Sequence, residues 1–153
     1  MSRKPLRHFL RFFSAVPGLY AFLAFACARR VRIHGRSMSP ALLPGERVLF
    51  DRLAFTRDHP RLGDVALLQH PGAPGLRIVK RITAVPGDIA GGRALERGEY
   101  WVEGDNVGAS TDSRAFGPVR RRHLLARAWL VYWPREDWRR MYPGRRPPLY
   151  MCS

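Results

Sequence analysis

Three short segments carry the side chains from which a nucleophile, a base and their supports can be built. The first, HGRSMSPALLPGE over residues 34–46, places Ser37 in a Gly-containing bend behind a short apolar run. A serine hydroxyl attacks a carbonyl only when a base removes its proton. Its loop must also offer a backbone N–H to the oxyanion that forms, which a bend at Gly35 can do. The second segment, LRIVKRITAVPGD over residues 76–88, holds Lys80. Lysine occurs only there and at Lys4; every other basic residue is arginine. Arginine keeps its proton, whereas a buried lysine can give it up. Along a strand, Ile78, Lys80 and Ile82 share one face, while Val79, Arg81 and Thr83 share the other. Lys80 is therefore expected on an inward apolar face, with the lowered pKa that a general base needs. Arg81 points the opposite way, toward an acid. The third segment, EGDNVGASTDSRAFGPV over residues 103–119, supplies Ser110 to orient the Lys80 amine and Asp105 to pair with Arg81. In the same loop Asp112 and Arg114 can form an ion pair that holds its shape.

Each segment alone has a plainer reading. Ser37 can be a turn serine bonding its own backbone. Lys80 can be an edge-strand lysine reaching to water, and the third segment a solvated turn. His34 is an alternative base for Ser37, but three residues along a bend give poor geometry and no Asp is placed to orient its ring.

The elements that must position these residues are mostly strands. After Arg30, short apolar runs alternate with turn residues: VRIHG, ERVLFDRLAF, GDVALLQHPG, LRIVKRITAVPGD, EYWVEGDN and HLLARAWLVYWP. Such runs, rich in Val, Ile, Leu and aromatics, read as strands. Pro44-Gly45, Pro71-Gly72, Pro74-Gly75 and Pro86-Gly87 mark turns between or beside them. No amphipathic helix of 12 or more residues is expected after residue 36. A mostly β fold of one or two curved antiparallel sheets follows.

The amino-terminal 11 residues carry Arg3, Lys4, Arg7 and Arg11 without an acid, and residues 12–28 are free of charge. That stretch is at the lower limit for crossing a bilayer as a helix. A membrane anchor, a cleaved leader ending at Ala26-Cys27-Ala28 and an interfacial helix are the alternatives, and length with flanking charge favours the anchor. The division expected is a basic terminus and hydrophobic helix over residues 1–30, a β domain over 31–134, and an irregular Arg/Pro-rich tail over 135–153. The net charge of +15 favours anionic partners, either nucleic acid or a membrane face. Cys27 and Cys152 form no framework, and the five histidines show no ligand spacing, so neither a metal nor a cofactor is expected.

Taken in order, Gly-X-Ser-Met-X-Pro, then Lys-Arg followed by Pro-Gly-Asp, then Gly-Asp-Asn and Ser-X-Asp-Ser-Arg resemble the signal peptidase I family over residues 31–133. The resemblance implies a compact, curved antiparallel catalytic domain preceded by one hydrophobic helix. It implies Ser37 as nucleophile, Lys80 as general base, and Ser110 as the serine that orients the base. Arg81 with Asp105 and Asp112 with Arg114 match structural ion pairs. Ile33, Met38, Leu42, Ile78 and Val79 match the lining of clefts for small side chains one and three residues before the cut. Gly35 departs from the pattern, standing where many bacterial members carry a serine that completes the oxyanion hole; the mitochondrial inner-membrane branch shares this departure. ASTDSRAFGPV and YWPR look most like proteases that mature a nickel-type superoxide dismutase.

The expected activity is thus endoproteolytic removal of a leader or signal sequence from a precursor protein, without cofactor. The expected setting is a single-pass protein of a bacterial inner membrane, in contact with lipid. The alternative class is a membrane-tethered, Arg-rich module that binds nucleic acid or anionic lipid, with Trp129, Tyr132 and Trp133 available for stacking. Nucleic acid is not the partner expected of the peptidase. A self-cleaving regulator, a third class that also uses Ser–Lys pairs, lacks a helix-turn-helix pattern here.

Overall fold

The computed structural model describes residues 26–141. Residues 12–25 of the apolar segment and residues 142–153 of the tail lie outside them. Among the described residues no helix is long and apolar enough to cross a membrane.

Ten strands make up most of the regular structure: β1 (Arg29–Arg32), β2 (Arg47–Asp51), β3 (Val65–Gln69), β4 (Arg77–Ala84), β5 (Ile89–Ala90), β6 (Arg93–Ala94), β7 (Glu99–Glu103), β8 (Val119–Arg120), β9 (Leu124–Trp133) and β10 (Arg139–Arg140). Five of the six apolar runs contain one of them, and VRIHG overlaps β1 only at Val31 and Arg32, the strand starting two residues earlier. Two four-residue helices, α1 (Ala54–Arg57) and α2 (Ser113–Phe116), interrupt the strands. The run ERVLFDRLAF does not stay extended to its end. Asp51 accepts the Leu53 N–H at 2.8 Å, and this local bond turns the chain into α1.

One eight-stranded antiparallel sheet runs in the order β1-β2-β9-β3-β4-β7-β8, with β10 also on β9; β5 and β6 form a separate hairpin. β9 organises the sheet. Its Arg127–Trp133 stretch pairs with β2. Its other edge is shared end to end by β3, at residues 124–127, and β10, at residues 130–131. Register shifts between β2 and β9, β3 and β9, and β4 and β7 bend the strands, and such bulges curve a sheet. One core cluster gathers Ile33, Met38, Leu42, Val48, Phe50 and Leu67. A second gathers Phe55, Leu68, Ile82, Tyr100, Val102 and Leu124. Because Leu67 and Leu68 are neighbours on β3, their side chains take opposite faces of the pleat, so the sheet is covered on both sides. A buried leucine such as Leu42 contributes about 2 kcal/mol by leaving water.

Three Pro-Gly turns close as the residue types require. Gly45, Gly75 and Gly87 take φ of 93, 94 and 95°. Hydrogen bonds span Glu46 N–H to Leu43 C=O, Leu76 N–H to Ala73 C=O, and Asp88 N–H to Val85 C=O. Proline at the second turn position and positive-φ glycine at the third define a type II turn. The start of the tail is not irregular. Residues 135–137 form a 3-10 turn and β10 follows, occupying the edge of β9 that β3 leaves open.

Candidate active site

β4 owes its position to both neighbours. Its whole length from Arg77 to Arg81 pairs with β3, whereas β7 takes up only Arg81, Ile82 and Ala84. The edge of residues 77–80 that faces away from β3 is therefore unpaired. It forms one wall of a cleft of about 510 Å³. The opposite wall is β1 and its continuation through Ile33, His34, Gly35 and Ser37 to Met38. β1 is the terminal strand of the sheet. Ser37 and Lys80 thus line one cleft from opposite sides, although four strand positions separate β1 from β4 in the sheet order.

Lys80 is 3% exposed. It lies opposite Ala66 on β3, on the face it shares with Ile78 and Ile82. Its Nζ donates to Ser110 Oγ at 2.9 Å. The Ser110 hydroxyl donates in turn to Asp112 Oδ2 at 2.6 Å. Asp112 is fully buried and also accepts the Gly104 N–H and both the Nε and Nη2 of Arg114. Burial pulls the Lys80 amine below its ordinary value of 10.5; Asp112 opposes this and Arg114 adds to it. Burial alone would raise the Asp112 carboxyl, but hydrogen bonds from Arg114, Ser110 and the Gly104 N–H outweigh it and hold the group well below the usual carboxylate range.

On the other face of β4, Arg81 forms a two-pronged pair with Asp105, at 2.8 Å from Nε and 2.7 Å from Nη2, and its Nη1 donates to the Gly63 carbonyl. With Arg81 3% exposed, this pair fixes the turn that leads from β7 toward Ser110. That turn meets Ser37 directly. The Asn106 N–H donates to the Ser37 carbonyl at 3.0 Å. A Cβ on Gly104 would overlap both the Ser110 Oγ and the Ser37 carbonyl oxygen. Among the described residues the Ser37 N–H makes no hydrogen bond.

Of the expected cleft residues, Ile33, Met38, Ile78 and Val79 line it. Leu42 does not; it is fully buried in the core cluster of Ile33 and Met38. The reason is local: the Leu42 N–H bonds back to the Met38 carbonyl, coiling this stretch so that Leu42 turns inward. His34 lines the cleft without bonding to Ser37. Gly35 also lines it, and a Cβ there would meet nothing within 4 Å. Among the described residues no His, Cys, Asp and Glu group is arranged to hold a metal ion.

Sequence reasoning missed four contributors. Gly104 and Asn106 hold the Ser110 loop against Ser37; the glycine at a strand end was a usable sign of close backbone approach. Glu46 and Arg139, 93 residues apart, form a two-pronged pair at 2.8 Å on each prong. Arg139 also donates to the Ala41 carbonyl, and Glu46 accepts the Leu43 N–H, so the pair braces the loop that follows Ser37. Nothing local in the sequence links those two.

A buried lysine and a serine thus line one cleft at the rim of a curved antiparallel sheet. The sequence matches the family described as "Signal peptidase, peptidase S26" over residues 6–90 and 88–133, and the chain belongs to that family. It is 39% identical to the mitochondrial inner membrane protease subunit 2 of Mus musculus, over 90% of this chain and 87% of the relative. The Homo sapiens subunit 2 is 38% identical over the same shares of each chain. The mitochondrial ATP-independent inner membrane protease subunit 1a of Arabidopsis thaliana is 37% identical over 68% of this chain and 70% of the relative.

Proposed function

We propose that this chain is a membrane-attached endopeptidase that removes an amino-terminal leader from precursor proteins with a Ser37–Lys80 dyad. The observation that carries the reading is Lys80 itself. It is the one lysine of the described residues, it is buried, and it lines the same cleft as Ser37. The Ser110 proton is committed to Asp112, so Ser110 can only accept from Lys80. The lone pair of the neutral amine is then free to face the Ser37 hydroxyl.

In the reaction, Ser37 Oγ bonds to the scissile carbonyl carbon as Lys80 takes the hydroxyl proton. The Ser37 N–H, which bonds to no other described residue, stabilises the oxyanion. The C–N bond breaks, and Lys80 returns the proton to the departing amine. A water, deprotonated by Lys80, then releases the acyl group from Ser37. The unpaired edge of β4 and the outer edge of β1 give an extended leader backbone two strands to bond with. Ile33, Met38, Ile78 and Val79 receive its small side chains near the cut. The Arg81–Asp105 and Asp112–Arg114 pairs keep Lys80 and Ser110 in register.

Attachment through residues 12–28 follows from their lack of charge and their basic flanks, and the relatives' names place them at a membrane. The finer placement, a single pass in a bacterial inner membrane with lipid at the domain's surface, rests on the sequence resemblance. So does the narrower substrate, the precursor of a nickel-type superoxide dismutase. The test compares protein amino termini in cells carrying the wild type or Ser37→Ala. Many retained leaders indicate a general peptidase, and one retained leader a dedicated protease. An unchanged set, with no second peptidase present, refutes the reading.

A further inference from the structure

The walls of the cleft carry more positive charge than a peptide backbone needs. Arg77 lies on the β4 wall, and Arg29, Arg30 and Arg32 lie on the β1 wall. Among the described residues no carboxylate lines the cleft. All twelve acidic residues of the chain fall between Glu46 and Asp137. Among the described residues the fold pairs Arg61, Arg81, Arg93, Arg114, Arg120, Arg127 and Arg139 with them. The four cleft arginines have no ion pair there. Four arginines along one cleft, with no ion pair among the described residues, give it a positive potential that favours an anion.

Their placement along the walls sets where that anion goes. β1 runs toward Ser37 and β4 toward Lys80, so both walls recede from the reactive pair in the same direction. Arg77 stands three residues before Lys80, about 10 Å along the strand, with Ile78 and Val79 between. Arg32 and Arg29 recede in the same way behind Ile33.

Resting on the leader-peptidase reading above, we propose that the cleft selects precursors carrying acidic side chains about three to six residues before the scissile bond, held between Arg77 on one wall and Arg29, Arg30 and Arg32 on the other. The substrate class is therefore a leader with an anionic stretch just ahead of small residues at the cut. This differs from what the β1 arginines alone would suggest. Coming directly after the apolar segment, they suit lipid headgroups equally well, but Arg77 stands on the opposite wall in line with Ile78, Val79 and Lys80, along the path an extended leader would take.

The test uses the purified full chain in neutral detergent micelles. Three matched peptides have alanine one and three residues before the cut, and Glu, Gln or Lys at the fourth and fifth positions before it. The expected result is a kcat/KM about tenfold higher for the Glu peptide than for the Gln peptide. The Lys peptide is cleaved more slowly still, and the differences shrink at high salt. Arg77→Glu with Arg32→Glu reverses the ranking. Equal cleavage of all three peptides overturns the inference and leaves the peptidase reading standing. No cleavage of any peptide overturns both. An absent preference, together with loss of binding to phosphatidylglycerol vesicles in the double variant, assigns the arginines to lipid and also overturns it.

Discussion

Lys80 and Ser110 are joined by a 2.9 Å hydrogen bond in which the amine is the donor. The direction matters because the Ser110 hydroxyl already donates to Asp112 at 2.6 Å. In the proposed dyad, Ser110 therefore aims the amine without competing for the lone pair that would accept the Ser37 proton. Replacing Ser110 with Ala is expected to lower kcat while leaving KM nearly unchanged, since the loss falls on orientation rather than on peptide binding. A change in KM alone would contradict this role.

With Lys80 as the proposed base, the charge around it is expected to set the pH range of activity. Burial lowers its pKa, Arg114 lowers it further, and Asp112 raises it. A base must be neutral to work, so kcat/KM rises with pH through a midpoint below 10.5, the ordinary value. Arg114→Gln removes a positive neighbour and is expected to move that rising limb to higher pH. The stability sign follows the same shift. With the folded pKa below the unfolded one, Lys80 costs stability at neutral pH, and the cost disappears as pH rises through 10.5. Lys80→Met should therefore abolish cleavage while keeping or raising Tm at pH 7.

Gly104 has no room for a side chain. Its added Cβ would overlap the Ser110 Oγ and a backbone oxygen of Ser37, which cannot move as a flexible side chain tip would. Gly104→Ala is expected to destabilise by about 1–3 kcal/mol and to lower kcat far more than that loss of folded protein explains. Thermal unfolding measured beside the rate on folded enzyme separates the two effects.

Gly35 is the opposite case. It lines the cleft, its Cβ direction is open, and its φ is not positive. Gly35→Ser should change stability by less than about 0.5 kcal/mol and raise kcat by adding a hydroxyl beside the Ser37 N–H. An unchanged kcat would mean that another donor already completes the oxyanion site.

Glu46 and Arg139 make the fourth case. Glu46 is 3% exposed, so Arg139→Ala strands a buried carboxylate and frees the loop behind Ser37. The expected cost is about 2 kcal/mol, since the Arg139 side chain is itself partly open to water. Adding Glu46→Gln should recover part of it. Equal Tm values for the single and double variants would show that the pair does not couple.

The sequence by itself pointed to the six longer strands, the Pro-Gly turns and the candidate chemistry, but not to the two-residue strands β5, β6, β8 and β10. These are local matters: alternation assigns side chains to faces, and proline followed by glycine fits one kind of turn. A lone lysine between isoleucines in an arginine-rich chain pointed to burial, and Arg81 with Asp105 and Asp112 with Arg114 could be matched by charge. What only the tertiary structure decided was which residues meet across distance. The curvature that brings β1 opposite β4 comes from register shifts that no residue pattern announces. The contact of Gly104 and Asn106 with the Ser37 carbonyl joins segments some 70 residues apart. The Arg139–Glu46 pair draws into the fold a stretch whose composition reads as tail. Leu42 turned inward because a hydrogen bond to Met38 coiled its loop. Face alternation is written residue by residue, but what covers a face, and which backbone atoms touch, are settled only when the whole sheet closes over its core.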